Sequence, residues 1–248
     1  MTGLDVDIRN PDPRLRPFPD AGEVFADDQA WLARHLHPLV SIDLAAIEPS
    51  WQGWLHLLSP LEPHEGYVGD HSTAFHDRYA RENWLAFRRD GDGRYRFLGR
   101  QGYFLLEQDA AGADADAMRL RDGLKAHYAA QQAAYEASRQ RYARYGVLTF
   151  ADDDDPSQRS SSGGEGHLLD QLGGTTGYAN WTVCPDPPDA FELDTRDEDD
   201  VFPRWKDGAA FRFIASVSGY PWQDSGADAI LLFYEPQSDT VLLTFDWS

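Results

Sequence analysis

From Ala229 to Tyr234 the chain reads AILLFY, six apolar residues without a break. A strand of that kind has no face suited to water, so it belongs at the centre of a sheet. After the turn in "EPQSD" the chain continues as "TVLLTFDWS", which alternates and sets Val241, Leu243, Phe245 and Trp247 on one face. The stretch 229–248 therefore reads as a hairpin, with its first arm central. Further strands are available to complete a sheet: "SWQGWLHLLS" (50–59) and "AAFRFIASVSGY" (209–220). A second hairpin is expected in "WLAFRRDGDGRYRFLGRQGYFLLEQ" (84–108), about Asp90-Gly91-Asp92-Gly93, because Asp-Gly supplies the positive φ angles of tight turns.

One long helix is predicted over 113–145. Asp114 or Asp116 can cap its start, Arg141 and Arg144 suit its C-terminal dipole, and Gly146 ends it. Tyr128, Tyr135 and Tyr142 recur every seven residues, with Leu124, Gln131, Ser138 and Tyr145 on the companion row. The polar members argue against a full coiled coil, so the seam is read as packing along a sheet, with a partner-binding seam as the alternative. "DDQAWLARHLHPLV" suggests a short helix stopping before Pro38, and the proline-punctuated residues 1–22 an extended arm on the body.

Charge divides the chain. The net charge is −20, and residues 152–200 alone carry 14 acids against Arg159 and Arg196. "ADDDDPSQRSSSGGEG" (151–166) reads as a linker, acidic and then Ser/Gly-rich. The fold class expected is α+β: a β-rich, two-lobed protein with one long helix. Residues 1–150 would form an N-terminal lobe with the helix packed on it, and 167–248 a C-terminal lobe. A negative field of this size repels nucleic acid and anionic lipid and favours a basic partner. With 42% hydrophobic residues the chain can bury a real core. The single cysteine, Cys184, excludes an intramolecular disulfide, and the first residues lack a secretory-signal pattern. No apolar run is long enough to span a membrane, so a cytoplasmic protein is expected.

Catalytic and metal signatures are missing. In "HEGYVGDHSTAFHD" (64–77), His71 and His76 are five apart, not the four that places two histidines on one helix face. "DGDGRYRFLGRQ" and "DTRDEDDVFPRW" fail as calcium loops, because Arg94 and Arg196 stand where oxygen donors are needed. Neither lysine, Lys125 or Lys206, lies in a phosphate-binding glycine loop, and Cys184 lies among acids that oppose thiolate chemistry. With 42 acids any carboxylate pair can be drawn, so none is informative. No catalytic residue, cofactor or metal is expected.

The remaining feature is "FELDTRDEDDVFPRW" (191–205), five acids and one arginine between Asp194 and Asp200 bracketed by Phe191, Phe202 and Trp205. It is read as a binding surface, over a solvated loop or a weak cation site. Asp194, Asp197, Glu198, Asp199 and Asp200 would steer the partner, and Trp205 or Trp222 would anchor it, although Trp222 in "GYPWQD" could equally be core.

Four segments, "HLLDQLGG" (167–174), "NWTVCPDPP" (180–188), "FRFIASVSGY" (211–220) and "GADAILLFYEP" (226–236), resemble the YwqG-like family of bacterial proteins. "GGTTGYANWT" lacks the proline and the glutamine expected after the glycines, so no ligand site is carried over. The resemblance implies a mixed, β-rich fold without established catalysis. It also implies a setting in which such domains serve as immunity proteins beside secreted antibacterial toxins. Three classes are thus open: an acidic inhibitor of a basic toxin such as a nuclease, a small-molecule enzyme, and a housekeeping or scaffold protein.

Overall fold

The computed structural model describes residues 6–8, 12–149, 165–183 and 186–247. Cys184 and nearly all of the expected linker at 151–166 lie outside the described residues. The first part of the chain forms β1 (Leu15–Pro17), α1 (Ala21–Val24), β2 (Leu36–Asp43), β3 (Trp54–Pro60), β4 (Ala80–Arg81), β5 (Trp84–Arg89) and β6 (Tyr95–Phe97). The long helix α2 (Ala115–Tyr145), β7 (Leu148–Thr149), β8 (Glu165–Gly166), β9 (Gln171–Leu172) and α3 (Asn180–Val183) follow. The remainder is β10 (Phe191–Asp194), β11 (Phe202–Trp205), β12 (Arg212–Val217), α4 (Tyr220–Gln223), β13 (Ala229–Glu235) and β14 (Thr240–Asp246). The class is α+β, with one long helix and antiparallel pairing between the named strands.

The middle layer is a seven-stranded sheet in the order β4-β5-β14-β13-β12-β9, with β6 paired to the far end of β5. One face carries Leu85, Phe87, Ile230, Leu232, Val241, Leu243 and Phe245, which share a core with Val40, Ile42, Leu55 and Leu57 of the β1-β2-β3 sheet. The opposite face carries Trp84, Ala86, Leu231, Phe233 and Leu242, packed with Trp181, Phe191, Val201 and Phe211. This explains the unbroken apolar run: β13 lies between two layers, so its odd and even residues are both dry. A large apolar side chain buried there contributes on the order of 1.5–3 kcal/mol. Trp247 packs beside the first core, on the face expected from the alternation.

The expected boundary at 151–166 does not divide this sheet. β5 lies beside β14, with Leu85 opposite Leu243, so strands from both stretches of the chain share one ladder. Charge and composition change at that boundary, but neither records which strands pair across it.

The helix has the caps its sequence offers. The Asp114 side chain accepts hydrogen bonds from the Asp116 and Ala117 amides, and Gly146 closes the C-terminus at φ 72°. Its tyrosine row faces the body. The Tyr128 hydroxyl lies 3.0 Å from His35 Nδ1, Tyr135 donates to the Pro38 carbonyl and stacks on His37, and Tyr142 contacts Phe18. Of the companion row, Leu124, Gln131 and Ser138 are buried, while Tyr145 is exposed. The helix does not lie on the first stretch alone, because it also covers α4, where Ser138 donates to the Pro221 carbonyl. Among the described residues no helix is long and apolar enough to cross a membrane.

Candidate functional site

The acid run forms the tip of a β-hairpin. β10 and β11 pair from Phe191 opposite Trp205 to Asp194 opposite Phe202, and residues 195–201 make the connection. Within it the Asp197 carboxylate accepts from the Asp199 amide, and the Asp200 amide donates to the Asp197 carbonyl. The tip is fastened to the preceding chain. Val201 N donates to Thr176 O, the Thr176 hydroxyl donates to Val201 O at 2.6 Å, and Tyr178 N donates to Glu198 O at 2.8 Å. Asp197, Glu198 and Asp199 are exposed on this fixed backbone, and Asp200 is half-buried.

The other residues expected at this surface are placed differently. The Asp194 side chain is only 6% exposed and is ion-paired with Arg196, whose guanidinium holds the carboxyl below its ordinary range. It closes the hairpin and presents little charge to a partner. Trp205 is half-buried, its ring 4.7 Å from Phe191 and 5.6 Å from Phe211, so most of it belongs to the second core. Trp222 is fully buried between Phe18 and the helix seam. It is a core residue and cannot anchor a partner; proline and aromatic neighbours make "GYPWQD" look alike in either role. The accessible aromatic beside the acids is Tyr178, 52% exposed, with Val183 exposed further along the same segment.

A second site was not visible in the sequence. Glu62, just after β3, is 4% exposed, and both of its hydrogen bonds fall on Oε1: from Leu105 N at 3.2 Å and from the Tyr128 hydroxyl at 3.4 Å. Behind Tyr128 stands His35, whose Nε2 is 2.9 Å from Glu107 Oε1. A chain of polar contacts thus runs Glu62–Tyr128–His35–Glu107. Burial, helped by the charge of Asp70, pushes the Glu62 carboxyl up to about 8, against the pull of its two donors. Burial likewise pushes His35 down to about 4, although Glu107 opposes the shift. Glu62 lines a cleft of about 550 Å³ between the 62–71 loop and residues 119–124 of α2. A buried, strongly shifted carboxyl in a cleft of that size has the physical marks of a ligand site. "LEPHEG" gives no sign of it, since Glu62 there looks like any surface acid.

The histidine-rich stretch after Glu62 does not converge. His64 lies against His127 of α2, His71 sits beside Asp70, and the His76 ring Nε2 is 2.8 Å from the Gly69 carbonyl. Among the described residues no group of three or more His, Cys, Asp or Glu side chains is placed to hold a metal. Elsewhere Ser41 Oγ lies 2.7 Å from His56 Nδ1, but the two are opposite each other in the β2–β3 ladder. They serve as a buried cross-strand link.

Compared with known proteins, the chain matches no family model, no curated protein and no solved structure.

Proposed function

We propose that this protein is an acidic, cytoplasmic inhibitor that binds a basic protein through the 195–200 hairpin tip, the partner class being a secreted nuclease toxin. The observation that carries this reading is the fixed presentation of Asp197, Glu198 and Asp199 beside the exposed ring of Tyr178. A nuclease must hold phosphate, so its active cleft is basic, and a preformed acidic tip complements it and speeds encounter. An aromatic beside the charges supplies the contact that slows release. The resemblance of the later segments to the YwqG-like family points to the same setting, with toxin and inhibitor side by side.

The test is to recover the partner by affinity purification from the native host and to measure binding kinetics at two salt concentrations. Changing Asp197, Glu198, Asp199 and Asp200 together to Asn or Gln should slow association about tenfold at low salt and flatten its salt dependence. Tyr178→Ala should instead speed dissociation, costing about 2 kcal/mol. An acidic partner, or an affinity indifferent to both changes, would overturn the reading.

A further inference from the structure

We infer that the cleft between the 62–71 loop and α2 binds a small organic cation, an ammonium or guanidinium group carried on a short apolar stem. The first support is the unmatched oxygen. Glu62 is almost wholly buried, yet among the described residues its hydrogen bonds are confined to Oε1, leaving Oε2 as the acceptor this lining residue offers to the cleft. A ligand that donates to this oxygen adds a hydrogen bond at the open side of an otherwise buried carboxyl.

The charges facing Glu62 select the sign of the ligand. From its own loop come Glu65 and Asp70, with His64 and His71. From α2 come Arg119 and Tyr128, with His127 outside the cleft against His64, and Arg119 is already ion-paired with Asp116. From the segment before β2 come Arg34 and His35, both engaged by Glu107. Tyr103 is a further titratable neighbour, and its hydroxyl donates to the Val68 and Arg81 carbonyls. Of the loop acids, Asp70 has His71 3.5 Å away and Glu65 has no ion pair among the described residues, while the nearby arginines already have partners.

The walls select the stem. Pro63, Leu120 and Leu124 line the cleft, and Leu120 is one of the few large apolar side chains left exposed. Gly123 stands in mid-helix on the same wall, and a Cβ built there would meet nothing within 4 Å. Glycine weakens a helix interior and here serves no tight packing or positive φ, so its effect is to keep the cleft open.

A proton accompanies the ligand. Burial raises the Glu62 carboxyl to about 8, and a cation against Oε2 favours the carboxylate, so binding below pH 8 releases a proton. The probe is n-butylguanidinium, charged at every pH used, with uncharged n-butylurea as its isostere, titrated calorimetrically into the intact protein. Affinity for butylguanidinium should rise about tenfold between pH 7 and pH 9, most of it below pH 8. Butylurea should bind at least tenfold more weakly at pH 9. Glu62→Gln should remove the pH dependence, and Gly123→Leu should abolish binding by filling the cleft while holding or raising the melting temperature. A blocked Gly-Arg-Gly peptide distinguishes the source: tighter binding than butylguanidinium identifies a side chain of another protein, weaker binding a free metabolite, and either supports the site. No binding of butylguanidinium at pH 9, equal binding of butylurea, or unchanged binding by Gly123→Leu would overturn the proposal.

Discussion

Glu198 and Glu62 carry the same functional group in opposite surroundings. At the hairpin tip, Glu198 stands in water beside two aspartates and is fixed only through its backbone. Each such charge interacts by only about 1 kcal/mol with an opposite charge 4 Å away, and salt weakens it further. Its value lies in adding to a field that reaches beyond contact. Glu62 is buried, its carboxyl raised by burial, and it meets its neighbours at contact through hydrogen bonds from Leu105 and Tyr128. A net charge counts the two alike, whereas burial and hydrogen bonding separate a charge that acts through a field from a group that acts at contact.

The largest effect expected from this contrast is in charge reversal. Glu62→Lys would place a cation amid Leu105, Tyr128 and His35 and should cost about 3–5 kcal/mol in urea unfolding. Glu198→Lys should stay within about 0.5 kcal/mol. Comparable losses at the two sites would mean that the hairpin acids hold the fold together.

A smaller effect separates the two in pH. The Glu62 carboxyl is raised in the folded protein, so between its ordinary value and about 8 the folded state keeps a proton that the unfolded state has lost. Stability therefore falls as pH rises through that window. His35 and His56, both pushed down to about 4 by burial, act oppositely, but their contribution is complete once pH exceeds about 6.5. Between pH 6.5 and 8 the protein should lose about 1.5 kcal/mol relative to Glu62→Gln, in which the histidines act unchanged. Unfolding midpoints at four pH values decide the matter.

The smallest expected effect concerns the fastening of the tip. Thr176→Val removes the hydroxyl that donates to Val201 O and should cost about 1 kcal/mol. Amide exchange at Val201 should speed up while the centre of β13 is unaffected, since only the hairpin loses a contact.

What the sequence reveals and what it hides follow from the range of the interactions. The helix caps at Asp114 and Gly146, the Asp90–Gly93 turn and the alternation along β14 are set by neighbours a few residues apart, and each is found where its pattern indicates. The pairing of β5 with β14 depends on which edges meet in space, which no local pattern encodes. The same holds at the sites. The acid run is legible because it is contiguous, but the depth of Trp222 and the partnership of Glu62 with Tyr128 arise only when distant segments pack. Tyr178 is hidden in the same way, because it comes beside Glu198 only when two separate segments pair through their backbones.

The placement of β14 between β5 and β13 also bears on how the chain is made. Ribosomes deliver residues in order, so β5 emerges long before the strand that will cover its open edge. During that interval β5 can pair with β4 and β6 on one edge, while the edge that β14 will cover stands open, a template for any other strand nearby. Such a protein gains little from folding as it is synthesised and has a high share of long-range contacts to form afterwards, which slows folding. Its yield in a heterologous host should therefore depend on temperature and translation rate more than on the stability of the finished fold.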